Sequence, residues 1–396
     1  IDEINELKNN KKENKENNED NNTIKELKEK NKEFENRIKY LEDKNKILED
    51  ELKKYKEYMN ATYIEENKKR FNNFKENPQN LKFKFDITKE RSDSGYLNNI
   101  EVFIGLKDRK EYIIYNNKNN FNLDIMRISD KKIITTLKGH DNNTNVIRYY
   151  IKNMTEDYIL SCDWNKLAII WDIQNNYNIK YKIKTNYSGT ICDALLLFNI
   201  FDKDYILLSN NKEKDYSELY EFKENTPFIK NIYETNKNQT IYMIPWIYNN
   251  KYYIIDCCLK KISVNNLLED EQYANLSDDS DVIHCCGYIY NNNYLCVSDW
   301  NNTYIHIWDL EHKELYKKIN YFINHGYAII PWNDIYTIVG CRGYFVIINI
   351  EEGKMVKKIK FNEQNDLRGL KMIKIDNLGE CLICSSQGNI IGLFGL

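Results

Sequence analysis

From Ile24 onward the chain repeats apolar positions every seven residues. Ile24, Asn31, Ile38, Asn45, Leu52 and Met59 fall at one heptad position. Leu27, Phe34, Leu41, Leu48, Tyr55 and Thr62 fall three residues later. A 3–4 spacing sustained this long predicts a coiled coil over residues 24–66. In a parallel pair the flanking positions would oppose Lys30 to Glu35, Arg37 to Glu42, Lys44 to Glu49 and Glu51 to Lys56. All four pairs are opposite in sign. Asn31 and Asn45 inside the seam fix register and favour two strands. The pattern therefore predicts a parallel homodimer. Residues 1–23 are charged, low-complexity sequence without this period. Residues 67–80 read as a linker, ending in Asn77-Pro78-Gln79-Asn80.

After residue 80 the period drops to two. Short runs rich in Ile, Tyr, Val and Phe alternate with Asn, Asp and Gly turns, which predicts β-strands. The runs recur. IYNNKYYIIDC at 247–257 returns as IYNNNYLCVSD at 289–299, and Ile244-Pro245-Trp246 returns as Ile330-Pro331-Trp332. The offsets fit one repeat of about 42 residues with four strands each, the signature of a β-propeller. Residues 100–396 hold seven such beats, the last with only three strands. LKFKFDITK at 81–89 has no blade of its own and is expected to supply the missing outer strand. The predicted domain is thus an all-β, seven-bladed propeller over 81–396.

The phrase SCDWNKLAIIWD at 161–172 and its partner VSDWNNTYIHIWD at 297–309 resemble the WD40 repeat family. Gly139-His140 stands 31 residues before Trp171, where that family places its Gly-His pair. The resemblance implies a buried hydrogen-bond network of a His, a Ser, a turn acid and a Trp. Here it points to His140, Ser161 and Trp171 in one repeat and Trp308 in the other. Asn165 and Asn301 stand where the turn acid is expected, which predicts an incomplete network. The resemblance also implies that Trp164 and Trp300, just before those asparagines, project onto the narrower ring face that binds partners. Trp246 and Trp332 follow a strand proline, which is expected to interrupt pairing and tip their rings toward the same face.

Charge changes the picture little. Lys plus Arg total 57 against 60 Asp plus Glu, with a formal net charge of −3. Neither the first eighty residues nor the remainder has a basic excess, so nucleic acid is not an expected partner. No apolar run reaches the roughly 18 residues of a membrane span. Ten cysteines lie in strand-like runs, the pattern of buried free thiols in a reducing, cytoplasmic compartment.

Catalysis finds no foothold. Cys381 and Cys384 have metal-knuckle spacing, but residues three apart on a strand face opposite sides. His284-Cys285-Cys286 has no third group, and no cofactor or metal is expected. Arg342-Gly343 and Arg368-Gly369 only partly resemble the paired-arginine motif of phosphoinositide-binding propellers. The acidic stretch 269–281 reads as a solvated outer loop.

The expectation is a non-catalytic protein–protein scaffold. Its coiled coil would pair two propellers whose faces receive proteins or peptides. Two alternatives stand beside it: a structural subunit of a cytoskeletal or RNA–protein assembly, and a phosphoinositide or membrane-surface binder.

Overall fold

The computed structural model describes residues 30–46, except 33 and 43, and most of 80–396. Outside the described residues in the second range lie 87–99, 118–119, 154, 186–188, 211–215, 234–239, 259–260, 270, 278–283, 300–303, 322–325, 362–365, 377, 387–390 and 396. The chain divides into two compact units, Ile1–Lys69 and Arg70–Leu396.

In the first unit, residues 30–32, 34–42 and 44–46 are helical. Phe34, Ile38 and Leu41 form an exposed stripe at 3–4 spacing. Asn31 and Asn45 also lie on this helix and are exposed; Asn31 donates through Nδ2 to Glu35 Oε1 at 3.3 Å. Ile24, Leu27, Leu48, Leu52, Tyr55 and Met59 lie outside the described residues.

The second unit is a seven-bladed β-propeller of four-stranded antiparallel sheets. The chain enters through β1 (Lys82–Asp86). Blade 1 follows as β2 (Ile100–Ile104), β3 (Glu111–Asn117), β4 (Asn122–Arg127) and β5 (Ile133–Leu137). Blade 2 is β6 (Thr144–Ile151), β7 (Asp157–Asp163), β8 (Leu167–Asp172) and β9 (Asn178–Lys184). Blade 3 is β10 (Ile191–Ile200), β11 (Lys203–Asn210), β12 (Tyr216–Glu221) and β13 (Phe228–Tyr233). Blade 4 is β14 (Thr240–Tyr248), β15 (Lys251–Cys258), β16 (Ile262–Asn266) and β17 (Gln272–Leu276). Blade 5 is β18 (His284–Tyr290), β19 (Tyr294–Asp299), β20 (Tyr304–Asp309) and β21 (Glu314–Asn320). Blade 6 is β22 (Ala328–Pro331), β23 (Tyr336–Gly340), β24 (Tyr344–Asn349) and β25 (Lys354–Lys360). The last blade has β26 (Leu367–Ile375), β27 (Gly379–Ser386) and β28 (Ile391–Gly395), with β1 hydrogen-bonded to β28 as its outer strand. The first strand and the last therefore share a sheet. The innermost strands contact one another in chain order, and β26 contacts β2, which closes the ring.

Burial follows position in the blade. Second and third strands are sandwiched between neighbours: β7 and β16 are buried along their whole length. Apolar runs without alternation suit strands covered on both faces. Outer strands alternate instead. β9 exposes Lys180, Lys182 and Lys184 while Ile183 turns inward. Lysine on an outer edge discourages strand addition by another chain. The core consists of clusters between adjacent blades. Ile159 and Trp171 of blade 2 pack with Phe103 and Ile125 of blade 1, for example. Ile373 and Ile383 of blade 7 pack with Ile100 and Ile113 of blade 1 at the closure.

Two faces result. One carries the turns between first and second strands and between third and fourth strands. The opposite face carries the second-to-third-strand turns and the connections between blades. No described helix is long and apolar enough to cross a membrane.

Candidate functional site

Blade 2 contains a complete buried network under the second-to-third-strand turn. His140 Nδ1 lies 3.0 Å from Asp163 Oδ2, and His140 Nε2 lies 2.7 Å from Ser161 Oγ. Trp171 Nε1 donates to the same Ser161 Oγ at 2.8 Å. Because the indole can only donate, Ser161 accepts from it and passes its own proton to His140 Nε2. That leaves Nδ1–H to donate to Asp163, so the chain of donors assigns the tautomer. Asp163 Oδ1 also accepts the backbone N–H of Asn165 at 2.8 Å and of Leu167 at 3.0 Å, tying down the turn. All four side chains are buried.

The acid of this network is Asp163, not Asn165. Asn165 sits in the turn itself, where its Oδ1 accepts from Asn142 Nδ2 at 3.0 Å. The expectation of an incomplete network is corrected accordingly in blade 2. The carboxylate lies at the end of β7, where it reaches both the histidine and the turn amides. Asp163 was legible as a buried acid ending an apolar run.

Blade 5 shows what happens when the serine is missing. Trp308 is buried as Trp171 is, but its Nε1 has no hydrogen-bond partner among the described residues. Strand register places Trp171 opposite Ile159 and Trp308 opposite Leu295, so Val297 stands where Ser161 does. Valine has no oxygen to accept the indole proton. Asn301 and Trp300 lie outside the described residues.

On the surface above the blade 2 network, Trp164 is 45% exposed. Its backbone N–H donates to Asn143 O at 3.1 Å, so the turn that carries it is held on both sides. The other two candidate tryptophans are corrected. Trp246 and Trp332 are both buried. Trp246 stacks on Tyr248 at 4.9 Å between ring centroids and packs against Tyr253 and Tyr273. Its Nε1 donates to Asn292 O at 2.9 Å. The reason lies in Pro245. It pairs opposite Ile254 with no register shift there, because β14 is an edge strand and tolerates a residue without N–H. Alternation is preserved, and Trp246 points into the core between blades 4 and 5. Trp332 directly follows β22 and packs in the core of blades 5 to 7. Both tryptophans also lie at the ends of first strands, toward the face opposite Trp164.

A second polar cluster joins the inner strands of three consecutive blades. Arg148 of β6 binds Asp193 of β10 in bidentate fashion, at 2.7 and 2.6 Å from one terminal nitrogen and 3.0 Å from Nε. Its guanidinium lies 4.8 Å from the centre of the Tyr242 ring on β14. Asp193 also accepts the N–H of Ala194 at 2.8 Å and of Met243 at 2.7 Å. Burial alone would push the guanidinium down, but the Asp193 carboxylate overrides it and holds Arg148 well above its ordinary value. A parallel pair, Lys371 Nζ to Glu101 Oε2 at 2.8 Å, joins blade 7 to blade 1. Every charge here already has its partner, so the cluster is a fastening across the ring. Single charged residues inside the apolar runs NVIRYY and ICDALLL are the signal in the sequence.

Five of the described cysteines are chemically quiet. Burial pushes Cys286 and Cys381 up to about 11, and Cys192, Cys296 and Cys341 up to about 12. At neutral pH these stay thiols, neither nucleophiles nor ready metal ligands. Among the described residues no three His, Cys, Asp or Glu side chains cluster as a metal site would require.

No protein-family model matches this chain. No curated protein matches it either.

Proposed function

We propose that this chain is a non-catalytic WD40-type scaffold that binds partner proteins through the Trp164 face of its propeller and is paired by its N-terminal helix. The observation that carries the reading is Trp164 itself. A large aromatic ring stands 45% exposed on a turn held rigid by the Asp163 network beneath it. Rigid, exposed tryptophans are the commonest anchors of protein interfaces, because burying one gains much area at little entropic cost. Trp300, at the equivalent place in the sequence of blade 5, is the proposed second anchor. The Phe34, Ile38 and Leu41 stripe supports pairing, since an uncovered apolar seam on a helix is stabilised by a second copy.

Both parts are testable. Trp164→Ala combined with Trp300→Ala is expected to leave the melting temperature unchanged while weakening capture of partners from the native cell by about tenfold or more. Unfolding of that variant, or undiminished capture, would sink the reading. The full chain is expected to sediment as a dimer at micromolar concentration, and Ile38→Glu to halve its mass by placing a charge in the seam. A monomeric wild-type chain would refute the pairing.

A further inference from the structure

On the face opposite Trp164, we infer a second docking surface, spanning blades 3 and 4, for a basic protein segment that carries bulky apolar side chains. Its apolar part is contiguous. Phe201, in the first turn of blade 3, packs on Tyr252 of blade 4 with ring centroids 5.6 Å apart. Tyr252 pairs across the hairpin with Ile247. Beside them, Lys230 Nζ donates to Leu268 O at 2.9 Å and ties β13 to blade 4. Phe201 is 63% exposed and Ile247 60%. Clustered exposure of this kind marks interaction sites, whereas scattered apolar residues do not.

The backbone points to the same residue. The sister hairpins of blades 4 and 5 place Asn249-Asn250 and Asn291-Asn292 at positive φ, which asparagine tolerates. Blade 3 places Phe201 there, at φ 48°, followed by Asp202 at 62°. Phenylalanine in the left-handed region is strained, and folding alone favours asparagine.

Charge selects the occupant. The turns of blades 3 to 6 on this face cover 201–204, 221–227, 249–251, 267–271, 291–293, 309–314, 332–335 and 350–354. Their described residues hold twelve carboxylates and five lysines. Such a field attracts a positively charged segment and raises its association rate. A second copy presenting this same face would bring like charges together. The partner this surface fits is therefore a Lys- or Arg-rich segment with at least two large apolar side chains to cover Phe201, Tyr252 and Ile247.

The test selects random short peptides on the immobilised full chain. The enriched sequences are then measured against wild type, Phe201→Asn with Ile247→Ser, and Trp164→Ala. Enriched peptides are expected to combine basic and bulky apolar residues and to bind more weakly as salt rises. They are expected to lose about tenfold or more in affinity with the double variant. Trp164→Ala should leave that binding unchanged, which separates this surface from the proposed partner face. Asparagine relieves the strain at 201, so the double variant should melt no lower than wild type. Three outcomes would overturn the inference: neutral or acidic enriched peptides, binding that survives the double variant, or self-association of wild type that the double variant abolishes.

Discussion

Asp193→Ala is expected to destabilise the propeller by about 4 kcal/mol, the loss typical when one partner of a buried ion pair is removed. The variant strands the Arg148 guanidinium over Tyr242 and leaves the N–H groups of Ala194 and Met243 without their acceptor. Arg148→Met should cost less, about 2 kcal/mol, because Asp193 keeps both backbone donors and methionine retains part of the packing. Arg148→Met combined with Asp193→Ala should cost less than the two single losses added, since removing both partners leaves no orphaned charge. Urea unfolding followed by tryptophan fluorescence measures all three. A loss below about 1 kcal/mol for Asp193→Ala would mean that the inner strands are held without this fastening.

Replacing Lys82–Asp86 by a Gly-Ser segment in the full chain is expected to open the ring. β1 is the outer strand of the last blade, and without it β28 becomes a free edge. That edge reads Ile-Gly-Leu-Phe-Gly, with Ile391, Leu393 and Phe394 all buried in the intact structure. Phe83 packs edge-on against Phe394 at 5.3 Å. A short apolar edge lacking lysine is a template for strand addition between molecules. The expected result is a lower melting temperature together with concentration-dependent aggregation, read by light scattering during heating. Leu81→Ala should show the packing part alone. Leu81 is buried in the core of blades 5 to 7, and its truncation is expected to cost about 3 kcal/mol without aggregation at room temperature. Unchanged melting and clear solutions for the Gly-Ser variant would show that the last blade stands on three strands.

Much of the fold was legible because propeller blades are local. Each beat is four antiparallel strands joined by short turns, so a period of two broken by Asn and Gly was enough to mark them. The repeat length then limited the number of blades. The incomplete last beat and the unassigned LKFKF run pointed to each other. The interaction residues were less legible. Trp164 and Trp246 occupy similar-looking places beside turns. Exposure separates them, and exposure depends on what the neighbouring blade puts there. Tyr248, Tyr253 and Tyr273 enclose Trp246. Pro245 makes no bulge, because an inner edge strand tolerates a missing N–H at that position. Asp163 lies two residues before the turn position where the family spacing puts its acid, so the spacing alone does not reveal it.

The amino-acid pattern by itself determined the strand positions, their order within each blade and the blade period. All of these rest on contacts between residues near in sequence or on one repeating face. Only the tertiary structure decided which charges meet across the ring, as Arg148 and Asp193 do from 45 residues apart. It alone decided that Val297 stands where Ser161 meets Trp171, so that Trp308 Nε1 has no acceptor among the described residues. It also gathered Phe201, Tyr252 and Ile247 from two blades onto one surface. The physical reason is common to all three. Burial and pairing are properties of a neighbourhood, and in a closed ring half of every neighbourhood is supplied by the adjacent blade.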